Sequence, residues 1–189
     1  MDASTIKSAV EKRLAPALVH VPLHPHVVTL LALASALAAA GLLVRGQAAA
    51  AGMLVVLSGS LDLLDGAIAK ARCKATAFGA LLDRVSDRLA DFAVVSAILG
   101  GGHVPFGWGL LALLSVMLGS YISACIEAET HSRIGESVSL RGLRILLLAL
   151  ACLTQRFTEA VILLAALGAL SAVGRMVLAW RLLGDRGQA

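Results

Sequence analysis

Five aspartates, Asp62, Asp65, Asp83, Asp87 and Asp91, interrupt stretches that are otherwise apolar enough to lie in a bilayer. An ionised carboxylate at that depth costs on the order of 3 kcal/mol unless it is partnered. Asp62 and Asp65 are three residues apart, and Asp83, Asp87 and Asp91 follow one another at intervals of four, so each set lines one face of a helix. Two antiparallel helices joined by a short loop turn such faces toward each other. Carboxylates gathered there repel one another and take up protons unless a cation neutralises them. Ligation by oxygen alone favours a hard divalent ion, Mg²⁺ or Mn²⁺. The competing reading is a structural ion-pair network with Lys70, Arg84 and Arg88, which the cost of so many charges in a membrane disfavours.

The elements that must position these acids are membrane helices. Of the 189 residues, 59% are hydrophobic and only 15% are charged, a balance far from that of water-soluble domains. Six apolar stretches of about membrane-spanning length lie near 27–44, 48–69, 79–100, 107–126, 142–155 and 159–180. The expected fold is therefore an all-α membrane protein with six transmembrane helices in one domain, residues 23–189. Before it, Ile6, Val10, Leu14 and Leu18 recur at helical spacing beside Lys7, Glu11, Lys12 and Arg13. That pattern predicts an amphipathic juxtamembrane helix over 1–22 lying on the lipid surface, ended by Pro22 and Pro25. A polar segment ahead of the first span argues against a cleavable signal peptide.

Basic residues set the orientation. Lys7, Lys12 and Arg13, then Lys70, Arg72 and Lys74, then Arg133, Arg141 and Arg144, and finally Arg181 and Arg186 all fall on one side of the six-span topology. Both termini and the acidic site are expected to face the cytoplasm. The net charge of +4 belongs to the membrane surface and does not indicate nucleic acid as a partner. Cys73, Cys125 and Cys152 are scattered, without the spacing of a disulfide framework or a zinc site.

The run Asp62-Leu-Leu-Asp65-Gly66-Ala-Ile-Ala69-Lys70, eight further residues, and then Gly79-Ala-Leu-Leu-Asp83-Arg-Val-Ser-Asp87 resembles the DxxDGxxAR(x8)GxxxDxxxD signature of the CDP-alcohol phosphotransferases. It departs from it at Lys70, which keeps the charge of the family's arginine and loses its bidentate fork. The resemblance implies that Asp62, Asp65 and Asp83 hold metal against the donor pyrophosphate. It implies that Asp87, also at the metal, is the general base on the acceptor hydroxyl. Asp62, Gly66, Ala69, Lys70 and Gly79 would face the CDP part of the donor, the two glycines letting a nucleotide approach the helix backbone closely. Pro25-His26-Val27-Val28-Thr29 is similar to the PNxxT entry of the family's first helix, with His26 in place of Asn and no catalytic role implied.

The continuation through Asp91, Ser120-Tyr121, Glu127 and Arg141-Gly-Leu-Arg144 is similar to the branch that makes phosphatidyl- or archaetidyl-inositol phosphate. Arg141 and Arg144 are expected to clamp an acceptor phosphate. Two positions that are usually basic in that branch are here Ser123 and Cys125, which points to an altered acceptor.

The expected reaction transfers a substituted phosphate from CDP-diacylglycerol or CDP-archaeol to a polyol phosphate such as inositol phosphate, with release of CMP, in phospholipid synthesis. Glycerol-3-phosphate as acceptor, or CDP-inositol as donor in inositol-phosphodiester synthesis, are readings within the same enzyme class. A cation transporter using intramembrane carboxylates is the non-enzymatic alternative, which release of CMP would distinguish. Membrane prenyltransferases need more spans than 189 residues provide. The sequence leaves a homodimer open.

Overall fold

The computed structural model describes residues 24–71, 76–130 and 138–184. They form six helices: α1 (Pro25–Val44), α2 (Ala48–Ala71), α3 (Ala77–Gly100), α4 (Phe106–Thr130), α5 (Val138–Thr154) and α6 (Phe157–Leu183). The segment expected to form a surface helix, 1–22, lies outside the described residues.

The helix boundaries follow from local chemistry. Pro25 sits in the first turn of α1, where a missing N–H leaves nothing unsatisfied and a fixed φ is already helical. The α1–α2 turn passes through Gly46 at φ +75°, a left-handed conformation that glycine adopts without a Cβ clash. Thr76 caps α3, its hydroxyl accepting from the Gly79 N–H at 2.9 Å.

Of the six helices, α1, α4, α6 and the Ala48–Ala69 part of α2 are long and apolar enough to cross a bilayer. The other two expected spans differ for identifiable reasons. Helix α3 has 24 residues but carries Asp83, Arg84, Asp87, Arg88 and Asp91, whereas α5 has only 17 residues, short of the roughly 20 that a span needs. Together with the acidic end of α2, these two helices carry charge into the site.

The core runs between helices that approach closely. Ala36, Ala39 and Leu43 of α1, Ala51 and Val55 of α2, Ile98 of α3 and Cys152 of α5 are buried together. Small residues let the backbones come near, as expected where van der Waals contact holds membrane helices together. At the α2–α5 contact, a Cβ on Gly52 would lie 2.9 Å from Cys152 Cβ, and one on Gly59 would lie 2.8 Å from Ile145 Cγ2. That close approach brings the basic start of α5 beside the acidic end of α2. Large apolar side chains such as Leu30, Leu57, Leu114, Leu170 and Trp180 point outward, the distribution expected for a protein solvated by lipid.

Candidate active site

Four helices supply the site. Helix α2 presents Asp62 and Asp65, α3 presents Asp83, Asp87 and Asp91, α5 presents Arg141 and Arg144, and α1 contributes Thr29. The helical spacings read from the sequence do converge. One carboxylate oxygen each from Asp62, Asp83 and Asp87 lies within 4.8 Å of the other two, a set of hard oxygen ligands that fits Mg²⁺ or Mn²⁺.

Asp65 does not join that trio. Only 5% exposed, it accepts a hydrogen bond at 2.5 Å from the Thr29 hydroxyl, which fixes its carboxylate against α1. Thr29 lies four residues after Pro25, and its hydroxyl is also 3.2 Å from the Pro25 carbonyl. The proline–threonine pair at the entry of α1 therefore orients a signature aspartate.

The basic residues are arranged differently from the sequence expectation. Arg141 does not stand free to clamp a phosphate. Its Nη2 donates to both Asp62 Oδ1 and Asp87 Oδ1, and its Nη1 lies 3.9 Å from Asp83 Oδ1, so the guanidinium sits among the three carboxylates. Arg144, buried one turn further along α5, donates to Asp91 at 3.1 Å. Arg88 also reaches Asp91, at 3.4 Å, while Arg84 pairs with Glu127 of α4 at 2.6 Å. The structural ion-pair network considered from the sequence thus exists at Asp91, and Arg84 belongs to another pair.

Two cavities flank the aspartates. The smaller, about 150 Å³, is lined by Pro25, His26, Thr29, Asp65, Gly66, Ala69, Thr76, Gly79, Ala80 and Asp83. The larger, about 470 Å³, lies between α3, α4 and α6 and includes Arg84, Asp87, Arg88, Ser120, Tyr121, Ser123, Glu127 and Arg175. Of the acids of α3, Asp83 lines the first cavity and Asp87 the second, and Asp87 also borders a small cavity of about 50 Å³ with Asp62, Asp91 and Arg141.

The two signature glycines differ. A Cβ on Gly66 would meet nothing within 4 Å, so its missing side chain leaves open space in the smaller cavity. A Cβ on Gly79 would lie 2.8 Å from His26 Cε1 and 3.0 Å from Thr76 Oγ1. Gly79 makes room for the His26 ring, which packs edge-on against Phe78 with centroids 5.7 Å apart. Ala69 lines the same cavity; the side chain of Lys70 lies outside the described residues.

Sequence reasoning noted Thr29 in the helix-entry motif without giving it a role in the site, and did not single out Arg175. Arg175 lies in the middle of the last apolar stretch and donates from Nη1 to the Gly119 carbonyl at 2.5 Å. A lone cation inside a span is itself a sign of a polar cavity, and that was the available signal.

Comparison with known proteins bears on the fold and the family. The profile of the CDP-alcohol phosphatidyltransferase family matches residues 22–183. The archaetidylinositol phosphate synthase of Methanothermobacter thermautotrophicus is 36% identical over 155 residues, which cover 78% of this chain and 76% of that one. A bifunctional IPC transferase and DIPP synthase of Rubrobacter xylanophilus is 35% identical over 165 residues, 85% of this chain but only 38% of the longer relative. The crystal structure of Mycobacterium tuberculosis phosphatidylinositol phosphate synthase with CDP-DAG bound superposes with a TM-score of 0.74 at 27% identity, covering 91% of this chain and 94% of that one. The same enzyme in complex with manganese and citrate gives a TM-score of 0.73, also at 27% identity, over 90% and 88% of the two chains. The chain belongs to the CDP-alcohol phosphatidyltransferase family and is an integral membrane transferase of substituted phosphate groups.

Proposed function

We propose that this enzyme transfers the phosphatidyl or archaetidyl group of CDP-diacylglycerol or CDP-archaeol to the hydroxyl of a polyol phosphate, such as inositol phosphate, and releases CMP. The observation that carries the reading is the wall of aspartates between two cavities, with Asp83 facing one and Asp87 the other. The activities of the relatives, inositol-phosphate lipid synthesis among them, support the same substrates.

The smaller cavity takes the CDP part of the donor. Gly66 leaves its wall open, Ala69 lines it with a small side chain, Gly79 makes room for His26 in it, and Lys70 at the end of α2 adds charge for the pyrophosphate. Asp62, Asp83 and Asp87 would hold Mg²⁺ or Mn²⁺, with Asp65 steadied by Thr29 at the donor side. A divalent ion there supplies Lewis-acid neutralisation of the diphosphate and of the charge that develops on CMP. Asp87 then removes the proton from the acceptor hydroxyl as the oxygen attacks the lipid-bearing phosphorus and the bond to CMP breaks. The larger cavity, with Arg84, Arg88 and Arg175 in its walls, suits an acceptor that carries a phosphate. Arg141, among Asp62, Asp83 and Asp87, adds positive charge within the wall itself, and Arg144 fixes Asp91.

The reading includes the topology. Residues 23–189 form one domain with α3 and α5 completing six spans, and both termini and the site face the cytoplasm. The clustering of basic residues on one side of the helices supports that orientation.

The test is purified protein with CDP-diacylglycerol or CDP-archaeol and a panel of radiolabelled acceptors: inositol phosphate, glycerol-3-phosphate and unphosphorylated inositol. CMP release with a phosphorylated product identified by mass is the expected outcome. Turnover confined to an unphosphorylated alcohol, or to CDP-inositol as donor, would overturn the acceptor assignment. Cation flux in vesicles without any CMP release would overturn the enzyme reading.

A further inference from the structure

We infer that Arg141 is an exchangeable counter-ion, occupying the carboxylate trio in the metal-free enzyme and obliged to leave it when the divalent ion enters. The inference rests on the metal reading proposed above for Asp62, Asp83 and Asp87.

Three carboxylates whose oxygens lie within 4.8 Å of one another need positive charge whether or not metal is present, because their mutual repulsion acts in a setting poor in water. The Asp62 and Asp87 side chains are each only 10% exposed, and the Arg141 side chain is 24% exposed. Arg141 supplies the charge with one nitrogen shared between Asp62 and Asp87 and the other turned toward Asp83. With one nitrogen lying between Asp62 Oδ1 and Asp87 Oδ1 and the other turned toward Asp83, the guanidinium fills the space between the carboxylates that an ion ligated by all three would take. Arg141 reaches the trio from the first turn of α5, a different element from the two that carry the acids, so its side chain can depart without moving them. Arg144 is not placed this way: its partner is Asp91, outside the trio.

Displacement has a direction. A guanidinium released from two carboxylates becomes a charge-assisted donor for an anion, and the anions at hand in the proposed reaction are the donor diphosphate and the acceptor phosphate. Metal entry would thereby create the phosphate-binding group, and the two roles of Arg141, counter-ion and phosphate clamp, would belong to successive states of the enzyme.

When a ligand binds only the open fraction of a population, its apparent dissociation constant rises by the reciprocal of that fraction. Titration of the purified full chain with Mn²⁺, in detergent and without nucleotide, with free ion read by electron paramagnetic resonance, measures this directly. Arg141→Gln should bind Mn²⁺ about tenfold or more tightly than the parent. Its melting temperature should fall in chelator and recover on addition of Mn²⁺. Arg144→Gln, which removes a nearby charge without opening the trio, should change the affinity much less. If Arg141→Gln does not fold, Arg141→Lys carries the test, because a lysine keeps the charge without the two-pronged fork and should tighten Mn²⁺ binding by roughly threefold. Unchanged or weaker binding in the Arg141 variant, or equal tightening in the Arg144 variant, while the parent binds Mn²⁺, would overturn the exchange alone. Absence of Mn²⁺ binding in parent and variants alike would overturn the metal reading and the exchange with it.

Discussion

At the scale of single residues, the site separates groups that the signature places side by side. Asp62, Asp83 and Asp87 converge, Asp65 is held by Thr29, and Asp91 is tied to Arg88 and Arg144. Asp87→Asn should retain binding of the CDP donor and lower turnover by about 10²-fold or more, as expected for loss of a general base. Asp62→Asn should weaken donor and metal binding together; indistinguishable donor affinities in the two variants would contradict the division of roles. Thr29→Val tests the other arm. It removes the hydroxyl that donates to a buried carboxylate, at a cost of about 1–3 kcal/mol, and should lower the melting temperature while raising the donor KM. An unchanged donor KM would show that Asp65 needs no such support. The aspartates and glycines were legible in the sequence because helical periodicity places residues three and four apart on one face. Thr29 was not, since its partner Asp65 lies 36 positions away.

At the scale of helices, glycines decide how near the elements come and hence which charges meet. The α2–α5 contact is made at Gly52 and Gly59, and it is this approach that lets Arg141 reach Asp62 across 79 positions of sequence. No local pattern announces such a pairing, so the sequence supports the existence of two basic residues at 141 and 144 but not their partners. Gly59→Ala would press a methyl group against Ile145, 2.8 Å away, and should cost about 1–3 kcal/mol by overpacking. Gly66→Ala provides the contrast, because its added carbon meets nothing within 4 Å. We expect a melting temperature close to that of the parent and a raised donor KM, since the new methyl group enters only the smaller cavity. A large loss of stability in Gly66→Ala, with donor binding intact, would move that glycine from the cavity to the packing.

At the scale of the whole molecule, six helices close around one polar wall while their outer faces stay apolar. The six helices among the described residues fall on the six apolar stretches read from hydropathy, and the first, second, fourth and sixth of these are apolar enough to span a bilayer by themselves. Helices α3 and α5 were expected as spans too, but their composition reflects the site they build: one is crowded with charge and the other is short. In the proposed reaction this wall transfers a phosphate-linked lipid from its CDP-activated form to an acceptor, with CMP leaving and a divalent ion assisting. The most direct measurement follows CMP release from CDP-diacylglycerol or CDP-archaeol with a phosphorylated polyol, first in excess chelator and then with Mg²⁺ or Mn²⁺ restored. The account expects CMP and lipid product in equal amounts when metal is present, and none in its absence, because the carboxylate trio cannot accept a diphosphate without a neutralising cation. Full turnover in excess chelator would contradict it.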